Sequence, residues 1–365
     1  MEKKRVLFIV EAFGGGVFTY ITELANALSN KYRIFIIYNI RPETPQDYKK
    51  YFNPSIVLIR LNCMKRSISV INDFQSLIKI KRIEKKIQPD IIHLHSSKAG
   101  ALGRLLINNK SCKVFYTPHG YSFLMLNSGH FKQLLFKLVE ALLAKRRCTT
   151  IACSPGEYKE ALKLNRNARM VNNGINISKK EFRIKNYTLP LGSTSSKNMS
   201  IFTTGRISFQ KNPLLFNKIA LKFPNINFIW IGDGELRNKL TAPNIQITGW
   251  VSRKRAMEIA GKSNIFILVS LWEGLPMSLL ESMYLGKICI ASNVVGNNDV
   301  IKNNINGFLC DNFDEFIMAV RNSLRGDNKL TKKLVTNAHD DIVKNYTLNT
   351  MCREYQKIYK ENFKN

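Results

Sequence analysis

The strongest constraint in this 365-residue sequence is an alternation of short apolar runs with helix-spaced patterns, which lapses once and then resumes. Residues 6–10 read as a buried strand, and Val17, Ile21, Leu24, Ala25 and Leu28 follow at helical spacing. Strands are expected next at 33–38, 56–60, 91–95 and 114–117, with helices over 74–87 and 99–107 among them. From 177 to 199 Ser, Lys, Asn, Thr, Pro and Gly dominate, as in a linker. The alternation then returns, with strands expected at 200–203, 227–231, 245–248, 265–269 and 288–291. Helices lie around 214–222, 255–260, 278–285 and, at the end, 349–362. Short apolar strands interleaved with helices form parallel sheets covered on both faces. The expected fold is therefore α/β, with two Rossmann-like, doubly wound domains facing across a cleft. Ligands of such sheets sit beyond the carboxyl ends of the strands.

Composition excludes several other classes. At 45% hydrophobic and 22% charged, the chain is no disordered polycation, despite a net charge of +30. The apolar run at 6–10 is too short for a signal-peptide core and stops at Glu11. No apolar run reaches the length of a membrane span. The seven cysteines are scattered without a C-x-x-C pair, which suits reduced thiols and offers no metal framework. A soluble intracellular enzyme is expected.

The segments after the strands carry the chemistry. Gly14-Gly15-Gly16 follows the first strand; it allows close backbone approach to an anion but lacks the G-x-G-x-x-G spacing of dinucleotide sites. His93 and His95 alternate on one strand face. His93 reads as structural, while His95 and Lys98 are better placed for the cleft, and no third ligand makes a metal site. His119 closes the strand at 114–117, beside Gly120. In the second half Gly205-Arg206 and Lys211-Asn212 place a guanidinium and an ammonium ahead of a helix, a pairing suited to a diphosphate. Gly232-Asp-Gly-Glu235 forms another glycine turn. Glu273-Gly274-Leu275-Pro276 leads into a helix containing Glu281, which puts two carboxylates eight residues apart. Carboxylates accept paired hydrogen bonds from vicinal hydroxyls such as those of sugars and ribose. The strand–loop–helix placement disfavours a glycosidase acid/base couple.

Taken together, the E-x7-E pattern at Glu273 and Glu281, G-R-x4-K-N at 205–212, I-G-D-G-E at 231–235, N-G-I at 173–175 and N-G-F at 306–308 resemble glycosyltransferase family 4. That family comprises retaining enzymes of the GT-B fold. H-x-H-S-S-K-A-G and T-P-H-G add a narrower likeness to bacterial transferases that build surface polysaccharides such as O-antigen, capsule or exopolysaccharide. The resemblance implies that Arg206 and Lys211 hold the donor's pyrophosphate, Glu281 the ribose and Glu273 the transferred sugar, with His119 supporting the reacting centre. Gly205, Gly232, Gly274, Leu275 and Pro276 would complete the donor site. Gly15 and Gly16 would approach the diphosphate, Gly16 facing the acceptor together with His95 and Lys98. It further implies a nucleotide-diphosphate sugar donor, a UDP-sugar in kind, a polyprenyl-diphosphate-linked saccharide acceptor and no metal cofactor, the cations supplying the electrostatics. The corresponding division is an acceptor-side domain at 1–177, a linker at 178–198, a nucleotide-sugar domain at 199–345 and a terminal helix at 346–365 returning to the first domain. Asn176 and Asp299 depart from the family pattern and leave the donor's identity open.

The charge is uneven: residues 60–150 hold 17 basic and 4 acidic side chains. The helix expected at 131–147 is largely apolar, with a narrow polar face of Lys132, Gln133, Lys137 and Glu140, and ends in Lys145-Arg146-Arg147. Two outcomes stand open. It packs on the sheet, or it meets an anionic membrane surface through Lys137, Lys145, Arg146 and Arg147. Peripheral association with the inner face of the cytoplasmic membrane is the expected location. An epimerase or phosphorylase of similar fold is the alternative activity. A nucleic-acid-binding protein is the alternative class, disfavoured because no reading module accompanies the charge.

Overall fold

The computed structural model describes residues 2–65, 67–106, 112–125, 129–177, 199–325 and 328–361; the linker expected at 178–198 lies outside them. The chain divides into two compact units, Met1–Asn173 with Leu348–Asn365, and Gly174–Thr347.

The first unit holds a seven-stranded sheet in the order β3-β2-β1-β4-β5-β6-β7, with every pairing parallel. Its strands are β1 Arg5–Phe13, β2 Arg33–Ile40, β3 Val57–Arg60, β4 Ile91–His95, β5 Lys113–Thr117, β6 Thr149–Ala152 and β7 Arg169–Met170. The helices are α1 Gly15–Leu28, α2 Val70–Ile87, α3 Ser97–Leu106, α4 His130–Ala144 and α5 Pro155–Leu164. The period-two geometry of β1 explains why its sequence is apolar without a break. Val6, Phe8 and Val10 enter one core, and Leu7 and Ile9 enter the core on the opposite face. The strand outruns its expected end at 10 because Glu11 is buried and ion-paired with Arg41, whose Nε also donates to the Glu11 carbonyl at 3.1 Å. A final helix, α11 (Leu348–Glu361), belongs to this unit, and its Met351, Cys352, Tyr355, Ile358 and Tyr359 join the core containing Val6 and Phe8.

The second unit is a six-stranded parallel sheet in the order β10-β9-β8-β11-β12-β13. The strands are β8 Ser200–Thr204, β9 Asn227–Ile231, β10 Ile245–Ile247, β11 Ile265–Leu268, β12 Ile288–Ser292 and β13 Phe308–Cys310. Around them run α6 Pro213–Lys222, α7 Arg253–Lys262, α8 Met277–Tyr284, α9 Phe313–Arg325 and α10 Asn328–Asn345. Strand order reverses between β8 and β11, the switch point at which doubly wound sheets open a crevice.

Helix α4 does not bury the apolar side that its sequence offers. Buried Arg104, whose guanidinium lies 4.1 Å over the Tyr116 ring, requires a carboxylate. Glu140 turns inward to supply it, at 2.7 Å from Arg104 and 2.8 Å from the Tyr116 hydroxyl that donates to it. Gln133 follows, its amide donating to the Met125 carbonyl. Phe131, Leu134, Leu135, Leu138 and Leu142 are consequently exposed, from 47% to 80%. The packed outcome holds only for Phe136 and Leu143: Glu140 and Gln133, expected on the polar face, point in, and four of the helix's leucines point out. Ile71 and Phe74 on α2 are exposed as well.

Candidate active site

In the second unit the segments after β8, β9, β11 and β12 meet at the carboxyl edge of the sheet. Gly232, after β9, has φ +140, and a Cβ there would stand 2.2 Å from the Gly205 carbonyl oxygen. Gly296, after β12, has φ +88 and would meet the Gly274 carbonyl at 2.4 Å. Glycine at both positions lets the four segments close on one another. The indole N–H of Trp230 fastens the turn by donating to the Gly205 carbonyl at 2.8 Å.

Lys211 sits in a single turn of 3-10 helix, Phe209–Lys211, ahead of α6. Its neighbour Gln210 stitches that turn to the loop after β11: the Gln210 amide donates to the Trp272 carbonyl at 2.9 Å, and Leu271 N–H donates to the Gln210 carbonyl at 2.8 Å. The Lys211 ammonium thereby lies 2.6 Å from the Glu273 carboxylate, which is 8% exposed. Gly274, Leu275 and Pro276 are buried, and Pro276 caps the start of α8. Glu281, one turn into α8, accepts from Arg253 at the start of α7, with Nε at 3.0 Å and the terminal nitrogen at 2.8 Å. Arg206 reaches Glu235 at 3.9 Å. The structure thus groups Gly205, Arg206, Lys211, Gly232, Glu273 and Glu281 at one sheet edge. It adds two residues that the sequence reading did not assign to the site, Gln210 and Arg253.

The matching edge of the first unit is built from neutral groups. His95 Nδ1 and His119 Nε2 lie 3.1 Å apart, and the His93 and His95 rings are tilted at 35° to each other with centroids at 4.0 Å. His93 Nδ1 is 2.7 Å from the Tyr359 hydroxyl and Nε2 is 2.9 Å from Thr117 Oγ1, so His93 has the structural place expected of it. Tyr20 and Tyr355 pair through their hydroxyls. Burial pushes the pKa of all three imidazoles down, that of His119 to about 3, with His93 and His119 adding to the effect on His95. His119 has φ +56, a strained conformation for a residue bearing a side chain. Glu157 supports the turn beside it, accepting from Gly120 N–H at 2.6 Å and Cys153 N–H at 2.7 Å. The Ser154-Pro155-Gly156-Glu157 sequence signals a helix start there, though not the bond to Gly120.

Two expectations for this edge change. Gly15 and Gly16 are not a loop but the first turn of α1, with Gly14 as its N-cap, because β1 runs on to Phe13. Lys98 spends its ammonium on the carbonyls of Lys65 and Ser67, at 2.7 and 2.6 Å, and on Asp73 at 2.6 Å, so it pins the start of α2. Among the described residues, no group of three His, Cys, Asp or Glu side chains could hold a metal ion.

Two parallel, doubly wound α/β units make up the architecture of the GT-B fold. Residues 192–341 match the family Glycosyl transferases group 1 and residues 14–179 match Glycosyltransferase Family 4. The chain is 32% identical over 340 residues, 85% of each chain, to an Escherichia coli enzyme named UDP-Gal:alpha-D-GlcNAc-diphosphoundecaprenol alpha-1,3-galactosyltransferase. It is 23% identical, over 98% of each chain, to the Campylobacter jejuni alpha-1,4-N-acetyl-D-galactosaminyltransferase acting on a GalNAc-containing diNAcBac-PP-undecaprenol. Sucrose-phosphate synthase from Thermosynechococcus elongatus shares the fold, with a TM-score of 0.82 over 99% of both chains at 16% identity. This chain belongs to the group 1, family 4 glycosyltransferases and is a glycosyltransferase of bacterial polysaccharide biosynthesis type.

Proposed function

We propose that the protein transfers a sugar from a UDP-sugar to a polyprenyl-diphosphate-linked saccharide, with retention of anomeric configuration, in the assembly of a surface polysaccharide. The observation that carries this reading is the Lys211–Glu273 pair at the β8/β11 switch point. A cation held 2.6 Å from a buried carboxylate is already oriented when a diphosphate arrives. Lys211, with Arg206, then compensates the charge that grows on the leaving phosphate as the sugar–phosphate bond breaks. Glu273 is left to accept from the hydroxyls of the transferred sugar, and Glu281 from those of the ribose. His119 contacts the sugar near the reacting centre. The departing phosphate takes the acceptor's proton on the face it leaves, so no protein nucleophile is required. The cations supply the electrostatics otherwise given to a metal, and turnover survives chelation by EDTA.

The relatives' named acceptors, both linked to undecaprenol through diphosphate, support a lipid-linked acceptor. The outward leucines of α4, beside exposed Lys137, Lys145, Arg146 and Arg147, support a peripheral seat on an anionic membrane. No helix among the described residues is long and apolar enough to cross one. The test screens sugar nucleotides for thermal protection, then supplies the protecting donor with lipid-linked acceptors and determines the product's anomeric configuration. UDP released only with acceptor present, and an α-linked product from an α-donor, is the expected result. Release without acceptor, or an inverted product, overturns it. In the same preparation, vesicles of phosphatidylglycerol should bind the protein in a salt-sensitive way. Replacing Leu138 and Leu142 with Glu should abolish that binding while sparing turnover of a water-soluble acceptor.

A further inference from the structure

The single contact between His95 and His119 decides which nitrogen of His119 carries a proton. Both rings are neutral at physiological pH, so one of the two nitrogens at 3.1 Å donates and the other accepts. His95 has no exposed surface, and its Nε2 is sealed from solvent with no hydrogen-bond partner among the described residues. Rings of Phe8 and Tyr20 pack on it with centroids at 5.1 and 5.9 Å. If His119 were the donor, His95 would have to carry its own proton on Nε2, leaving a buried N–H without an acceptor. If His95 Nδ1–H is the donor, only a lone pair is left bare. Orphaned buried N–H groups are the rarer and costlier arrangement. His119 differs from its partner in that its Nδ1 is absent from the sealed, unpartnered atoms and the residue is only half-buried.

We infer that His95 is a positioning residue that fixes His119 as the Nδ1–H tautomer, so that His119 presents a hydrogen-bond donor to a hydroxyl oxygen of the bound sugar. The backbone agrees with this role. His119 is held at φ +56 by a turn that Glu157 clamps through Gly120, and strain of this kind persists where surrounding bonds over-determine it. His93 completes the support: its ring packs against that of His95 with centroids at 4.0 Å, and it is held at both nitrogens by Tyr359 and Thr117, which leaves the His95 ring a fixed neighbour. What His119 touches rests on the transferase reading; which of its nitrogens is protonated does not.

The test reads the tautomer directly. In the full-length protein labelled with nitrogen-15 histidine, long-range proton–nitrogen correlation at pH 7.5, without substrate, should show His119 Nδ1 protonated and Nε2 bare, with the same pattern at His95. His95→Asn can still donate from its amide and should keep both the His119 tautomer and near-normal turnover. His95→Leu cannot; His119 should move toward the Nε2–H form, and kcat should fall about 10- to 100-fold with donor KM little changed. A wild-type His119 protonated at Nε2 overturns the inference, whether or not His95→Leu folds. So does a folded His95→Leu with unaltered tautomer and turnover. If no donor and acceptor pair supports transfer, the transferase reading fails while the nitrogen spectra still decide this one.

Discussion

The carboxyl edges of the two sheets solve the same problem with opposite electrostatics. In the second unit the edge is charged and paired: Lys211 with Glu273, Arg253 with Glu281, Arg206 near Glu235. In the first unit the corresponding edge is a run of neutral imidazoles and hydroxyls, His119, His95, His93, Tyr359, Tyr20 and Tyr355, joined ring to ring and buried except for part of His119. A paired charge can be handed over. When an anionic ligand enters, the cation exchanges one negative partner for another and the desolvation cost has already been met. A neutral buried network has nothing to exchange; its value is fixed geometry, and in a low dielectric each of its hydrogen bonds is costly to lose. The difference predicts that substitutions in the second unit act on turnover and donor affinity, whereas those in the first act on stability and its dependence on pH, and on turnover only where they reach His119.

The most severe break of that contrast is Lys211→Ala. It removes the diphosphate's cation and strands the buried Glu273 carboxylate, so kcat should fall about 10²- to 10³-fold in an assay of nucleotide release. Retention of half the wild-type rate would show that the charged edge is structural. A change in pH should fall on the first unit instead. Its three imidazoles are held neutral when folded, while the unfolded chain takes up protons near pH 6.5. The folded state therefore binds fewer protons, and stability is lost as pH falls below about 6.5, continuing toward about 3 for His119. Between pH 6.5 and 5.5 each imidazole contributes roughly 1 kcal/mol of loss, which thermal melts in that window will register. Melts that are flat across it would mean that the cluster protonates without unfolding. The gentlest change is Arg253→Ala, which leaves Glu281 in place but unsteered. Donor KM should rise by up to about tenfold with kcat within twofold, a split that steady-state kinetics resolves.

Much of this was legible in the sequence, and the reasons are local. The strands at 91–95 and 227–231 have the bounds expected of them, because each is a short, mainly apolar and buried stretch set between polar turn residues. Lys211, Glu273 and Glu281 were legible because their spacing survives as a pattern. Their partners were not: Arg253 lies 28 residues from Glu281, and no short motif records that the two helices meet. Glu157 escaped for a different reason, since its capping sequence announces a helix start but not that the carboxylate bonds to Gly120, 37 residues earlier. Helix α4 was misleading in a third way. Periodicity says which residues share a face, but the direction that face takes was set by one buried guanidinium needing Glu140. Helices α9 and α10 went unmarked among the charged residues of the last third.

The membership of α11 in the first unit has a consequence for the order in which the protein is made. Residues 174–347 are contiguous and can fold as soon as they leave the ribosome, whereas the first 173 wait for Tyr355 and Tyr359, which are synthesised after the whole of the second unit. Until then His93 lacks its Tyr359 hydroxyl and one face of the first sheet is open. The unit translated first is thus finished after the second, and a ribosome that stalls short of residue 355 releases a complete second unit attached to an incomplete neighbour.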